Sequence, residues 1–192
     1  MTNNAAAPSS SNEIFTLQEL HPDDYRQQTR KATFVIVLIF ASIAMFLASL
    51  LALVFGSPTD ESSNFKLNLT GVLLGVVVTA ILTNSILKKQ PWMAASVYGW
   101  RLKRSLMSVT NSMHCVKAGV DADDILAMRV LRFYHLGLIQ MQHLDGNPGL
   151  EPEQVRDINA LQDKMQGLNL DLQQNSLNPD WISQLKAKYP AK

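Results

Sequence analysis

Two apolar runs, ATFVIVLIFASIAMFLASLLALVF over residues 32–55 and LNLTGVLLGVVVTAILTNSIL over residues 67–87, decide how the rest of the chain is read. Neither contains Asp, Glu, Lys, Arg or His. As helices rising about 1.5 Å per residue they extend roughly 36 and 31 Å, against roughly 30 Å of bilayer hydrocarbon. Core helices of soluble domains seldom run this long without a charge, so the two runs predict transmembrane helices. The short polar connection between them makes a hairpin.

Charge placement orients that hairpin. Arg26, Arg30 and Lys31 precede the first run, and Lys88, Lys89, Arg101, Lys103 and Arg104 follow the second. The connection from Gly56 to Lys66 holds one Lys against Asp60 and Glu61. Cationic flanks stay on the cytoplasmic side, so both termini are expected in the cytoplasm. The first run is too long for the apolar region of a signal peptide and no cleavage pattern follows it, which predicts an uncleaved signal anchor. Lys31, Lys88, Lys89, Trp92, Arg101, Lys103 and Arg104 are the expected membrane-interface residues, the cations against lipid phosphate and Trp92 at headgroup level. No aromatic-interleaved groove accompanies these cations, so nucleic acid is not an expected partner. The net charge of +1 over 192 residues averages a charge-free hairpin with an ordinary polar remainder. The single Cys115 rules out an internal disulfide.

Small residues recur every fourth position in both runs: Ala44, Ala48, Ala52 and Gly56 in the first, Gly71, Gly75, Thr79 and Thr83 in the second. That spacing places each set on one helix face. Lipid tails are as apolar as a leucine, so helices associate where small residues let backbones approach. The two stripes are expected to pack against each other within the hairpin, with a seam between protomers as the alternative. Asn84 and Ser85, close to a helix end, are read as hydrogen-bonding groups at the interface rather than an ion path.

Outside the hairpin the chain reads as helical. Residues 1–12 predict a disordered tail, and Ile14, Phe15, Leu17 and Leu20 a short amphipathic piece lying on the membrane surface or on the C-terminal part. Pro22, Asp23 and Asp24 open a helix that runs into the first span. Beyond Pro91, the stripe Ala95, Tyr98, Leu102, Leu106, Val109, Met113 and Val116 predicts one amphipathic helix over 92–116, closed by Gly119 and Val120. Asp121 to Asp124 then cap a helix over 125–144 that is apolar almost all round. A turn at Asp145 to Gly149 leads to Glu151-Pro-Glu153 and a helix carrying Val155, Ile158, Leu161, Met165, Leu168 and Leu172. Asn178-Pro-Asp180 opens a final short helix with Trp181, Ile182 and Leu185 on one side.

The run Leu131-Arg-Phe-Tyr-His-Leu-Gly-Leu-Ile-Gln-Met-Gln-His-Leu-Asp145, together with the hairpin and the Tyr98 to Leu106 helix, resembles an uncharacterised family of short two-span bacterial inner-membrane proteins. The resemblance covers residues 21–170. It implies a bacterial inner membrane and carries no activity, cofactor or site.

The remaining polar residues form no recognisable catalytic constellation. His135 and His143 stand two turns apart and about 80° round a helix, too far to share a metal. His114 and Cys115 are adjacent, so their side chains are expected to diverge, with no third group to complete a nucleophilic site. Phosphate loops, dinucleotide fingerprints and nucleophile elbows are missing. The sequence therefore predicts an all-α protein without cofactor, metal or enzymatic activity. Its parts are an N-terminal arm (1–21), a transmembrane hairpin (22–89) and a small cytoplasmic antiparallel helical bundle (90–192). The expected role is that of an accessory, scaffold or adaptor presenting the bundle to a protein partner; the alternative is a subunit of a homo-oligomeric channel or small transporter.

Overall fold

A computed structural model describes residues 14–56, 61–147 and 149–190. The expected tail over 1–12, residues 57–60 of the connection and Pro148 lie outside them. In chain order the elements are β1 (Phe15–Thr16), α1 (Pro22–Phe55), α2 (Glu61–Ser85), two 3-10 turns (Leu87–Lys89 and Pro91–Met93), α3 (Ala94–Thr110), α4 (Met113–Asp121), α5 (Ile125–Asp145), α6 (Pro152–Gly167), β2 (Ser176–Leu177) and α7 (Pro179–Lys188). The chain is nearly all helical. It divides into two compact units, one of residues Asp23–Tyr98, the other of the N-terminal segment up to Pro22 with everything from Gly99 onward.

In the first unit, α1 begins at Pro22 with Asp23 and Asp24 in its first turn, where acids complement the helix dipole. No Gly or further Pro interrupts its 34 residues. Both α1 and α2 are long and apolar enough to cross a membrane. Ser42 Oγ bonds back to Leu38 O at 2.9 Å and Thr70 Oγ1 to Lys66 O at 2.9 Å, so an apolar surround leaves these two hydroxyls satisfied, whereas Thr79 Oγ1 is buried without a partner among the described residues. α2 stops at Ser85, short of the expected Leu87. Gln90 is extended because the residue before a proline is pushed out of the helical region, and the intervening turns tighten to 3-10 geometry. Leu87 and Met93 then fold onto Ala32, with Ile36, Ile39, Leu82 and Val97 around them.

The second unit is built on α5. Its N-cap is Asp124, whose side chain accepts from Leu126 N at 2.8 Å, and it ends at Gly146 in the left-handed region with φ 73°. Met128, Val130 and Phe133 on α5 are fully buried, as are Val109 on α3, Val116 on α4 and Met165 on α6. Gly137 lets Leu106 approach: a Cβ there would lie 2.8 Å from Leu106 Cδ2.

Three expectations about this unit are corrected. The single helix over 92–116 is two, α3 and α4, broken at Asn111 and Ser112. Thr110 Oγ1 and Ser112 Oγ bond the carbonyls of Leu106 and Ser108 at 3.0 Å each, competing with the helical ladder. The stripe nonetheless faces inward, with Leu102, Leu106, Val109 and Val116 all buried. Gly119 does not stop α4; it sits inside the helix, where a Cβ would come within 2.6 Å of Ala127 Cβ and 3.1 Å of Tyr189 Cε2.

The helix expected to reach Leu172 ends at Gly167. Asn169 takes the left-handed conformation at φ 54° and Leu170 N bonds Met165 O at 2.9 Å, a Schellman closure with Asn in the usual glycine position. Leu170 and Leu172 still reach the cluster of Met128, Leu161 and Met165, but from irregular chain. The N-terminal piece is extended and lies on the C-terminal part, one of the two places expected for it. Phe15 pairs with Leu177 and Thr16 with Ser176, and Leu17 N donates to Asn175 O at 2.8 Å.

Candidate functional site

The stripes of small residues meet inside the first unit. A Cβ at Gly71 would fall 2.6 Å from Ala48 N, and one at Gly75 2.8 Å from Ala44 Cα, so backbone lies directly on backbone at both levels. Thr79, one turn further on, is buried. Gly56 closes the other end, its N bonded to Ala52 O at 2.9 Å, with Asn64 Oδ1 against its backbone. Ala48, Ala52 and Thr83 are half-buried.

The expected interface residues divide by unit. Lys31, Lys88 and Lys89 are exposed, and Lys88 Nζ donates to Asn84 Oδ1 at 2.8 Å, which accounts for one of the polar groups near the end of α2. Trp92 is exposed. In the second unit, the Arg101 guanidinium lies 5.9 Å from the Phe15 ring centroid, Lys103 pairs with Asp145 at 3.1 Å, and Arg104 stands 5.2 Å from the Trp100 ring centroid. Trp100 was not singled out by the sequence because it stands off the apolar stripe, on the outer face of α3.

Two polar clusters in the second unit join residues that the sequence did not link. Arg132 is only 7% exposed. Its Nε donates to Leu172 O at 2.9 Å, and with the Gln162 amide oxygen turned toward it, Nη2 and Nη1 donate at 3.0 and 3.2 Å. Burial holds its pKa below the usual value. One turn along, His135 is 6% exposed and its Nδ1 has no partner among the described protein atoms. Burial first, and then the charge of Arg132, lower its pKa to about 4, against the weaker opposing pull of Asp157. The imidazole is therefore neutral at ordinary pH.

This has a measurable consequence. The unfolded histidine, near 6.5, binds a proton that the folded one refuses until about pH 4. Stability is then full above pH 6.5 and lost as pH falls toward 4, by about 3 kcal/mol over the window. Urea midpoints across that range should fall for the native chain and fall much less for His135→Phe. Parallel curves would contradict a buried neutral His135.

The second cluster clamps helix ends. Asp124 Oδ2 accepts from Lys188 Nζ at 2.6 Å and from Tyr189 OH at 3.2 Å, joining the start of α5 to the end of α7. Burial raises the Asp124 pKa, but the bonds from Lys188, Leu126 N, Tyr189 and Ala127 N outweigh it and hold it below the ordinary carboxylate value. Lys164 Nζ donates to Val120 O at 2.6 Å and pairs with Asp123 at 2.7 Å, and Asp123 is itself left-handed at φ 58°. These acids fasten helix ends, as capping predicts for Asp124.

His114 and Cys115 correct another expectation. Their side chains do not diverge: Cys115 Sγ lies 3.1 Å from His114 Nε2. They stand in the first turn of α4. The thiol is buried and the pair has no third polar group bonded to it among the described residues. Nor do the described residues contain a cluster of three or more His, Cys, Asp or Glu able to hold a metal.

No curated protein and no solved structure matches the chain. A family model described as a protein of unknown function, DUF3087, matches residues 15–182, from β1 into the first turn of α7 and so beyond both ends of the 21–170 resemblance. The chain belongs to the DUF3087 family.

Proposed function

We propose that this protein is a membrane-anchored accessory or scaffold protein: α1 and α2 cross the cytoplasmic membrane of a bacterium as a hairpin, both termini stay in the cytoplasm, and the C-terminal helices are presented there to a protein partner. One observation carries the membrane part. The helices that would have to be buried in a soluble protein display their largest apolar side chains, Phe34 at 70% exposure and Leu53 at 84%, all along α1. Water does not tolerate an apolar surface of that extent, whereas hydrocarbon requires it. The contacts of Gly71 and Gly75 with Ala48 and Ala44 support packing within one chain over a seam between protomers, because the same small residues are already used.

The scaffold part rests on the side chains of the second unit, where Arg132, Asp124, Lys164 and His135 serve packing and capping rather than an open reactive cleft. Photo-crosslinkers at exposed positions of α6, such as Val155, should capture one recurrent protein in cells. Recovery of only the protein itself from several detergents would contradict a partner-presenting role.

A further inference from the structure

We infer that the outer face of α3 in the C-terminal unit is a docking surface for anionic phospholipid. It rests on the bilayer reading above and adds to it a second, peripheral contact. Trp100, Lys103, Arg104 and Met107 follow at spacings of three and four and so share one face of the helix. Trp100 is 60% and Met107 59% exposed, while Leu102, Leu106 and Val109 on the opposite side fill the core. α3 is thus apolar on two sides, and only one of them is used by the fold.

The chemistry of the spare side matches a charged lipid interface. Arg104 lies over the Trp100 ring, which puts a cation and an amphipathic aromatic at the same level, as headgroup insertion requires. Residues 62–120 contain no Asp or Glu, and from Lys88 to Lys117 every charge is positive. A surface of phosphate groups is complementary to that run, with Arg104 as the main cation of the outer face because Asp145 pairs with Lys103 at 3.1 Å. α3 is also tethered: it begins at Ala94, just beyond Ser85 at the end of α2, with Lys88, Lys89 and Trp92 between. A tethered face meets the membrane at high effective concentration, so a patch of four residues suffices where a free protein would need more.

The test uses the full chain in lipid nanodiscs. Trp92→Phe with Trp181→Phe leaves Trp100 as the only tryptophan. In discs containing phosphatidylglycerol, shallow brominated acyl chains should quench Trp100 and aqueous acrylamide should not. In pure phosphatidylcholine discs the pattern should reverse. Arg104→Gln should lower the docked ratio about fivefold, the effect of one basic residue near an anionic surface. High salt should act in the same direction, and Arg156→Gln, on exposed α6, should change nothing. Trp100 open to acrylamide in both lipids overturns the inference, and so does Trp100 shielded from both quenchers, which would place it in a protein contact. Disc formation itself reports on the spans, so these failures remove the lipid-docking face and leave the hairpin reading standing.

Discussion

Replacing Gly71 and Gly75 together by leucine should separate α1 from α2 and cost about 2–6 kcal/mol of their association, one to three for each overpacked site. The clash is with backbone: Ala48 N and Ala44 Cα occupy the space a Cβ would take, so no side chain can rotate away to relieve it. Leucine is a better helix former than glycine, so α2 itself should persist and the loss should fall on packing alone. Leu73, exposed on the same helix, is the control; Leu73→Ala should leave the association unchanged. Spin labels at Leu50 and Leu69 in bicelles should report a longer, broader distance in the glycine double variant. An unchanged distance with native resistance to SDS would mean that the small residues do not hold the pair.

Phe133→Ala should be the most damaging single change in the C-terminal unit, at about 3–5 kcal/mol. Its ring is fully buried in the middle of α5 and meets Phe15 edge-on, with centroids 6.2 Å apart at 85°. Alanine leaves a cavity that the surrounding helices cannot collapse into without breaking their own contacts. The loss also removes the ring that Phe15 of β1, a strand of two residues, packs against. Hydrogen exchange at Leu17 N, bonded to Asn175 O, should accelerate before exchange at the centre of α5 does. Membrane insertion should be unaffected, since α1 and α2 belong to the other unit. An unfolding free energy from urea within about 1 kcal/mol of native would show that α5 is not the centre of this core.

What the sequence made legible follows from where each signal resides. The two long apolar helices are compositional, since a lack of charge over more than twenty residues needs no tertiary knowledge to read. The starts of α1, α5, α6 and α7 were marked by Pro22, Asp124, Pro152 and Asn178 because capping is satisfied within one turn. Helix ends were harder. Ser112 breaks the ladder with a hydroxyl that would serve equally well inside a helix, and Asn169 takes a conformation usually left to glycine. Long-range features had no local trace. Phe15 and Leu177 pair across nearly the whole chain, and Arg132 is accommodated by a carbonyl forty residues further on. The interface cations follow from charge placement, whereas Trp100 beside Arg104 lies off the apolar stripe, on the side of α3 that the fold leaves unused.

The central claim is that the chain crosses the membrane twice, with its ends on one side. Paired reporters active only in the cytoplasm or only outside it, fused in turn at Ser62 in the first turn of α2 and at Lys192, test this directly. The account predicts an exported signal at Ser62 and a cytoplasmic one at Lys192. The same compartment at both positions would contradict it.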